Sequence, residues 1–280
     1  MQQPNEIVQS ALRSSLERIM DSDGISTVFQ LIADIREDTV LGYETLSRGA
    51  FPFNEPHLMF DVAERCNLSW DLDSACRISA LRSIAALPAV QRECLFFVNV
   101  SPRSITDRRA IEGFTLSAMK ALGITQQMIV IEVTETTSIG DYEAFENQLR
   151  HYSQQGFLVA LDDFGSGHSG LLTLVAAAPH FIKLDQGLVS RVDGDPYRQK
   201  LISAIVAFAS SVGSELIAEG IQRIEEKDVL ADLGVRYGQG YLIGEPACLG
   251  VDGREDRQEV HAGRGAREAD AGLSAGRCKE

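Results

Sequence analysis

Polar side chains follow a series of short apolar runs along this chain. The runs LGYE, FFVN, IVIE, LVALDD, FIK and LIAE end in Glu44, Asn99, Glu132, the pair Asp162 and Asp163, Lys183 and Glu219. If the runs are parallel strands lying side by side, their polar ends meet at one edge of the sheet. Carboxylate and amide oxygens are the ligands that hard divalent cations prefer. The pattern therefore predicts a cation site, and adjacent acids could serve two ions that share a ligand.

Strand-like and helix-like segments alternate regularly from Cys94 onward. Apolar runs such as MIVIEV and HFIKLD are typical of strands buried on both faces, and segments such as YEAFENQLRHYSQQ between them have helical spacing. This alternation implies parallel strands joined by helical crossovers. About eight strands in roughly 230 residues predict an α/β protein with a (β/α)8 barrel of the TIM type. An open doubly wound sheet is the alternative, but no GxGxxG sequence follows the first strand.

The first part of the chain has a different order of elements. Residues 7–20 show helical spacing, and TVFQLIADI and VLGYETL, separated by a turn, predict the two strands of an antiparallel hairpin. PHLMFDVAERC and DLDSACRISALRSIAAL are then helical. We predict an N-terminal helix and lead-in over residues 1–25 and the barrel over residues 26–248. Residues 249–280 are rich in Gly and charge, which predicts a disordered tail.

The composition excludes several classes of protein. The net charge of −14 argues against a nucleic acid polymer as partner, because such binding depends on basic residues that neutralise phosphates. The five cysteines include no CxxC pair, which fits neither a disulfide scaffold nor a zinc site. The first residues do not form a signal peptide, and no stretch approaches the ~20 apolar residues that a membrane-spanning helix needs. We therefore expect a cytoplasmic protein.

A glycine-rich loop follows the acid pair. Gly165, Gly167 and Gly170 are separated by small hydroxyl residues and one histidine. Backbone N–H groups in such a loop can bind phosphate, which is the first interpretation. The second is a mobile loop that closes over the site, and the third is an ordinary tight turn between strand and helix.

Several motifs, in order along the chain, resemble the EAL domain family, whose members are cyclic di-GMP phosphodiesterases. The matching segments are GYETLSRG, VNVSP, IEVTET, DDFGSGHSGL, IKLD, AEGIQ and QGYLIGEP, and the resemblance covers about residues 26–246. The family has a (β/α)8 barrel whose first strand runs antiparallel to the rest. The resemblance therefore implies this strand orientation, in agreement with the hairpin, and implies cyclic di-GMP as the substrate.

The resemblance also implies two bound Mg²⁺ or Mn²⁺ ions. The residues that match ligands of the first ion are Glu44, Asn99, Glu132 and Asp162. Those that match the surroundings of the second ion are Asp162, Asp163, Glu219 and, close to it, Asp185. The metals would lower the pKa of a water and neutralise charge on the transition state, so that water opens one phosphodiester bond and gives linear pGpG.

Other matching residues imply roles in catalysis and in substrate binding. Lys183 matches the lysine that contacts the attacking water, and it joins Glu44 and Glu219 as a catalytic residue. The residues that match substrate-binding positions are Gln30, Arg48, Asp185 and Gln239. The planar guanidinium of Arg48 is suited to a phosphate. Glu135 matches the glutamate that anchors the DDFG loop.

Four residues depart from the family pattern without removing a metal ligand. Thr45 stands in place of the usual alanine, and Gln222 in place of a second acid. Leu31 replaces a proline, and His168 replaces an aromatic residue. A strand tolerates the β-branched Thr45, so we expect activity to survive, while substrate affinity and loop behaviour stay open.

Two alternatives to an active enzyme stay open. One is a catalytically weak cyclic di-GMP receptor acting through a regulatory protein partner, although such family members usually lack several of the acids. The other follows from the barrel alone and is a lyase that forms a Schiff base on Lys183. Acids around that lysine would keep it protonated, which argues against this chemistry. The resemblance also suggests homodimers.

Overall fold

Eight strands close into a barrel within the residues that the computed structural model describes, which are 4–105, 107, 109, 113–134, 142–166 and 170–249. Each strand pairs with the next, and β8 pairs with β1. The strands are β1 (Ile25–Asp34), β2 (Val40–Gly49), β3 (Leu95–Asn99), β4 (Ile129–Thr134), β5 (Leu158–Phe164), β6 (Phe181–Leu184), β7 (Glu215–Ala218) and β8 (Tyr237–Gly238). The prediction of a (β/α)8 barrel is confirmed.

The first strand runs antiparallel to both of its neighbours. It pairs with β2 from Ile25↔Gly49 to Ala33↔Val40, and it pairs antiparallel with β8. The other strand pairs are parallel. The hairpin turn is stabilised by Asp34, whose Oδ1 accepts hydrogen bonds from the backbone N–H groups of Arg36 and Glu37, each at 3.0 Å. Both the predicted hairpin and the strand orientation implied by the family resemblance are confirmed.

Helices pack on the outer face of the barrel. They are α1 (Pro4–Asp21), α2 (Pro56–Arg65), α3 (Ser69–Ala86), α4 (Pro102–Ile105), α5 (Phe114–Leu122), α6 (Tyr142–Gln154), α7 (Gly170–Ala177), α8 (Gln186–Val189), α9 (Pro196–Val212) and α10 (Ile224–Asp232). Two large clusters of buried apolar side chains join helices to strands. The helices predicted from apolar spacing are present, and the short helices α4 and α8 are additions that the spacing did not predict.

The barrel interior contains an apolar layer below a polar layer. The apolar layer is formed by Ile32, Phe97, Val130, Ala160, Phe181, Ile217 and Tyr237. On the parallel strands, the polar residue follows two positions later, as Glu132 follows Val130. Side chains two residues apart lie on the same side of a strand, so both point inward. On the antiparallel β1 the order is reversed, and Gln30 precedes Ile32.

Two strands are shorter than the apolar runs predicted. The run ELIAEGI forms only β7, because Gly220 has a left-handed φ of 65° and turns the chain. The run YGQGYLIG forms only β8. There Gly240 has a φ of 150°, and a Cβ atom on it would lie 2.3 Å from the backbone nitrogen of Ile221. Each turn brings a polar residue of its run, Glu219 or Gln239, to the rim of the barrel.

Some predictions concern residues outside those that the structure describes. These residues are Gly167 and His168 of the glycine-rich loop, Glu135, and the tail beyond Leu249. The interpretations of the loop and of the tail, together with the domain boundaries, stay predictions. Among the described helices, none combines the length and the apolar character needed to cross a membrane.

Candidate metal and phosphodiester site

Lys183 lies at the centre of the polar layer, and its side chain has no exposed surface. Its Nζ lies 3.2 Å from Glu44 Oε2, 3.1 Å from Asp162 Oδ1 and 2.7 Å from Glu219 Oε1. It also contacts Glu132 Oε1. One ammonium group therefore contacts carboxylates contributed by β2, β4, β5 and the segment after β7, which the sequence pattern placed at one rim.

The pKa values of these groups reflect burial and an excess of negative charge. Burial, followed by the nearby carboxylate of Glu44, raises the pKa of Glu132 well above its ordinary value. Burial likewise raises the pKa of Glu219 well above its ordinary value, with Lys183 opposing and Asp162 adding to the shift. Burial alone would lower the pKa of Lys183, but the surrounding carboxylates, Asp162 foremost, raise it well above its ordinary value. The lysine is therefore a permanent cation at neutral pH.

Three carboxylates converge beside this lysine at an open cavity of about 390 Å³. Asp162, Asp163 and Glu219 each offer an oxygen, and these oxygens lie within 4.8 Å of one another. Adjacent strand residues normally point to opposite sides, but β5 is irregular between Leu161 and Phe164, and Asp163 has a left-handed φ of 54°. This irregularity allows both aspartates to line the cavity. Burial, followed by Asp162 and Asp185, raises the pKa of Asp163 to about 6.

Two glutamine amides link the first hairpin to the last strand. Gln239 Nε2 donates to Gln30 Oε1 at 2.9 Å and also to Glu44 Oε2. Gln30 Nε2 donates to the carbonyl of Gly244 at 3.2 Å. Within the described part of the chain, Gln239 Oε1 and Glu132 Oε2 are buried and have no hydrogen-bond partner. Both oxygens are therefore able to accept a bond from a bound ligand or, in the case of Glu132, to coordinate a cation.

Asn99 and Asp185 have defined partners at the edges of the polar layer. Asn99 Nδ2 donates to Glu44 Oε1 at 3.3 Å, which leaves its carbonyl oxygen available to a cation. Asp185 follows β6 and caps α8, because its Oδ1 accepts from the backbone N–H of Gly187 at 2.8 Å. Asp185 also lines the open cavity. One of its carboxylate oxygens is thus used structurally.

Arg48 lies apart from the carboxylates. It follows Glu44 by four residues on β2, which places it about 13 Å further along the strand at ~3.3 Å per residue. It lines a second cavity, also of about 390 Å³, together with Thr45 and Asn99. The structure therefore brings most of the predicted site residues together and places Arg48 at a separate cavity.

Two of the four departures from the family pattern, Thr45 and Gln222, line cavities at or beside the site. The hydroxyl of Thr45 donates to the carbonyl of Phe97 at 2.8 Å and joins β2 to β3 on the outer side of the barrel. Gln222 lines the open cavity at its rim. None of these residues contacts Lys183 among the interactions of the described residues.

A buried ion pair behind the site was missed by the sequence reasoning. Arg77 and Asp73 on α3 are paired, with exposed side-chain fractions of 0% and 5%. Asp73 Oδ1 accepts from the backbone N–H of Ser101 at 2.9 Å, two residues after Asn99. Arg77 also donates to Thr115 Oγ1 at 2.9 Å. The spacing of four residues between opposite charges, beside apolar residues such as Leu72 and Cys76, was the available signal.

Two curated relatives have sequences similar to this chain. A probable cyclic di-GMP phosphodiesterase, PdeG of Escherichia coli, is 27% identical over 235 residues. The cyclic di-GMP phosphodiesterase PA2567 of Pseudomonas aeruginosa is 29% identical over 238 residues. The matches cover 82% and 84% of this chain, but the chain spans only 46% and 40% of the lengths of these relatives.

Solved structures have the same fold. The EAL enzyme Bd1971, in a form with cAMP and cyclic di-GMP bound, superposes with a TM-score of 0.78 at 26% identity, over 87% of this chain and 68% of that one. BlrP1 of Klebsiella pneumoniae, in a complex with manganese and cyclic di-GMP, superposes with a TM-score of 0.73 at 27% identity, over 81% of this chain and 57% of that one.

A model of one protein family matches most of the chain. The match is to the EAL domain, and it covers residues 11–246, which include all eight strands and the residues of the polar layer. The matched region contains the antiparallel first strand, the acid-lined cavity and the buried lysine. This chain belongs to the EAL domain family.

Proposed function

We propose that this chain is a metal-dependent phosphodiesterase that hydrolyses cyclic di-GMP to linear pGpG. The observation that carries the proposal is the buried ammonium of Lys183 in contact with four carboxylates. Four negative charges against one positive charge leave an excess of three when all are ionised, and Asp163 and Asp185 add to it. An anionic dinucleotide would be repelled from this cavity unless cations were bound there. Bound divalent metal ions would offset this negative charge and so allow the anionic substrate to enter the cavity.

The residues present fit two divalent ions. Asp162, Asp163 and Glu219 would hold one ion, since their oxygens already converge, and Asp185 lies at the same cavity. The residues that would hold the other ion are Glu44, Asn99, Glu132 and Asp162, and the buried Oε2 of Glu132 has no hydrogen-bond partner among the described residues. The oxygen ligands suit Mg²⁺ or Mn²⁺. When bound, such ions lower the pKa of a coordinated water and neutralise charge on the phosphate.

Lys183 would act as a fixed cation in this reaction. Its raised pKa keeps a proton on Nζ, so it cannot serve as the neutral amine that a Schiff base requires. Its Nζ lies among the carboxylates of the site, from where it can hold the attacking water and stabilise the charge that develops on the phosphate. Glu44 and Glu219 are the neighbouring acids that can share the proton released by the water. This observation disfavours the lyase alternative.

The substrate would extend from the carboxylates to Arg48. Cyclic di-GMP carries two phosphates and two guanine bases, so it is long enough to reach from the cavity beside Asp185 towards the rim of β2. Arg48 is suited to bind the second phosphate through its planar donor group. Gln239, which donates to both Glu44 and Gln30, would orient the ligand together with Gln30 at the opposite side. The names of the relatives and the cyclic di-GMP bound in the structural neighbours support this substrate.

Product analysis tests the proposal. Purified protein is incubated with cyclic di-GMP and either Mg²⁺ or Mn²⁺, and the products are separated by chromatography. We expect linear pGpG, and we expect EDTA to abolish it. Binding of cyclic di-GMP without turnover would instead favour the receptor alternative, in which a regulatory protein partner reads the bound state. Trapping of a carbonyl substrate by borohydride without metal would favour the lyase.

We also propose that the chain forms homodimers and works in the cytoplasm. Support for self-association comes from α7, where Leu171, Leu172 and Val175 are 74%, 68% and 76% exposed on a helix of eight residues. Analytical ultracentrifugation of the wild type and of a Leu172→Glu variant would test this. A monomeric wild type would refute it.

A further inference from the structure

Glu226 is a buried acid that the proposed reaction does not use. It lies in the first turn of α10, and 3% of its surface is exposed. Its Oε2 accepts from the backbone N–H groups of Gln222 at 3.1 Å and Arg223 at 3.2 Å, which caps the helix. Its Oε1 accepts from the backbone N–H of Arg191 at 2.8 Å. The bond to Arg191 is not part of the α10 cap, because Arg191 belongs to a different loop.

Other contacts join the same two loops. Arg223 and Asp193 form two parallel bonds of 3.2 Å, one from each terminal nitrogen of the guanidinium. Gly220 packs so closely against Gln186 that a Cβ atom on it would lie 2.5 Å from Gln186 Cγ. The segment after β6 and the segment after β7 therefore contact each other at these three places, and the bonds of Glu226 are partly buried whereas those of Arg223 are exposed.

Glu226 accepts this bond from a residue with an unusual backbone conformation. Arg191 has a left-handed φ of 58°, which residues with a side chain rarely adopt unless neighbouring contacts hold them there. The N–H that Glu226 accepts belongs to this strained residue. Removing the acceptor would leave this partly buried N–H without its carboxylate partner and allow the segment that follows Asp185 to relax.

We infer that Glu226 is a positioning residue, which sets the spacing between Asp185 and Glu219 by joining the loops that carry them. Asp185 follows β6 directly and Glu219 follows β7 directly, so a shift of either loop changes the distance between two carboxylates of the cavity. The expected effect on the affinity for a divalent cation rests on the proposed function, whereas the expected effect on the two loops is independent of it.

Three variants of the full chain test the inference. Glu226→Ala removes all three acceptor contacts, and Glu226→Gln keeps one acceptor oxygen in the same shape. Asp195→Ala is the matched control, because Asp195 caps α9 by accepting from Tyr197 N at 2.9 Å and Arg198 N at 3.2 Å within its own helix. Hydrogen exchange is measured on the metal-free protein, and the dissociation constant for Mn²⁺ is measured by calorimetry.

We expect E226A to lose amide protection in both segments 186–194 and 219–223 and to bind Mn²⁺ about tenfold more weakly. E226Q is expected to lie between E226A and the wild type, and it decides the question if E226A fails to fold. D195A is expected to lose protection only at the start of α9 and to keep its Mn²⁺ affinity. Loss of protection confined to residues 222–226, with unchanged Mn²⁺ affinity, would overturn the inference. A wild type that binds no Mn²⁺ would refute the proposed function, while the exchange data would still decide whether Glu226 joins the loops.

Discussion

Replacing Lys183 by methionine removes the cation at the centre of the polar layer and keeps a side chain of similar length. Four carboxylates then lose their shared partner in a buried position. We expect the metal-free K183M protein to fold but to be markedly less stable than the wild type at about pH 8. The change is informative because it separates the charge of the lysine from its packing.

The expected loss follows from the contact distances. A pair of unit charges near 3 Å attracts with about 5 kcal/mol at an effective dielectric constant of about 20, so the gross attraction is large. Much of it offsets the cost of removing these ions from water, and the carboxylates can bind protons when the ammonium is lost. Removing one partner of a buried pair costs about 3–5 kcal/mol, and we expect the unfolding free energy of K183M to fall by that amount.

The loss should depend on pH with a defined sign. The pKa values of Glu132 and Glu219 in the folded protein lie above their ordinary value of 4.5, mainly through burial. Groups of this kind bind more protons in the folded state, so they favour folding below their ordinary pKa and oppose it as pH rises through the folded pKa. Without Lys183 these pKa values rise further. The penalty of K183M is therefore greatest at about pH 8 and smaller at about pH 5.

Urea unfolding followed by circular dichroism measures this penalty. Lys200→Met, on the exposed face of α9, is the control and should change the unfolding free energy by less than about 0.5 kcal/mol. Mn²⁺ at a concentration a hundred times its dissociation constant should raise the unfolding free energy of the wild type or of K183M by about 2.7 kcal/mol, provided that the protein binds the ion. A K183M penalty below about 1 kcal/mol at pH 8, or one that does not change with pH, would contradict the description of Lys183 as the shared partner of the four acids.

Three further predictions concern single residues of the site. Glu44→Ala should lower cyclic di-GMP hydrolysis by about a hundredfold or more in a product assay, while Glu143→Ala on α6 keeps the wild-type rate; full activity of E44A would refute the metal assignment. Because the pKa of Asp163 is about 6, this carboxyl is protonated below that pH, so Mn²⁺ affinity measured by calorimetry should fall as pH decreases through about 6, and a flat profile would contradict this. Thr45→Ala should lower the unfolding free energy by about 1 kcal/mol through loss of the bond to Phe97, and equal losses in Thr45→Ala and Thr45→Ser would disagree with this explanation.

The sequence predicted the polar layer well because it depends on a short-range rule. An inward residue is followed two positions later by another inward residue, so Val130 with Glu132, or Phe181 with Lys183, can be recognised in a single strand. The strands themselves were predicted from their continuous apolar runs. The short-range rule did not find Gln30, because β1 is antiparallel and the polar residue comes before the apolar one. Only the family resemblance indicated that position.

Other parts of the site depend on contacts that no local pattern contains. The irregularity of β5 at Asp163 turns the second aspartate into the cavity, although simple alternation would turn it away. The pair of Asp73 and Arg77 is buried because Ser101 and Thr115, from distant parts of the chain, supply its other partners. No local pattern distinguishes Glu226 from the neighbouring acids at the start of α10. Its bond to Arg191, 35 residues away, depends on how two loops pack.

The closure of the barrel determines when contacts between the first and last strands can form during protein synthesis. The first and last strands join through only two residue pairs, reinforced by backbone bonds of 2.8 Å and 2.9 Å between Phe29 and Ala247. Glu44 leaves the ribosome 195 residues before Gln239, with which it shares a hydrogen bond. Because domains generally fold as units, we expect that a nascent chain that has not reached Ala247 has not closed its barrel. The hydrogen bond between Glu44 and Gln239 is therefore expected to form late, together with the closure of the barrel.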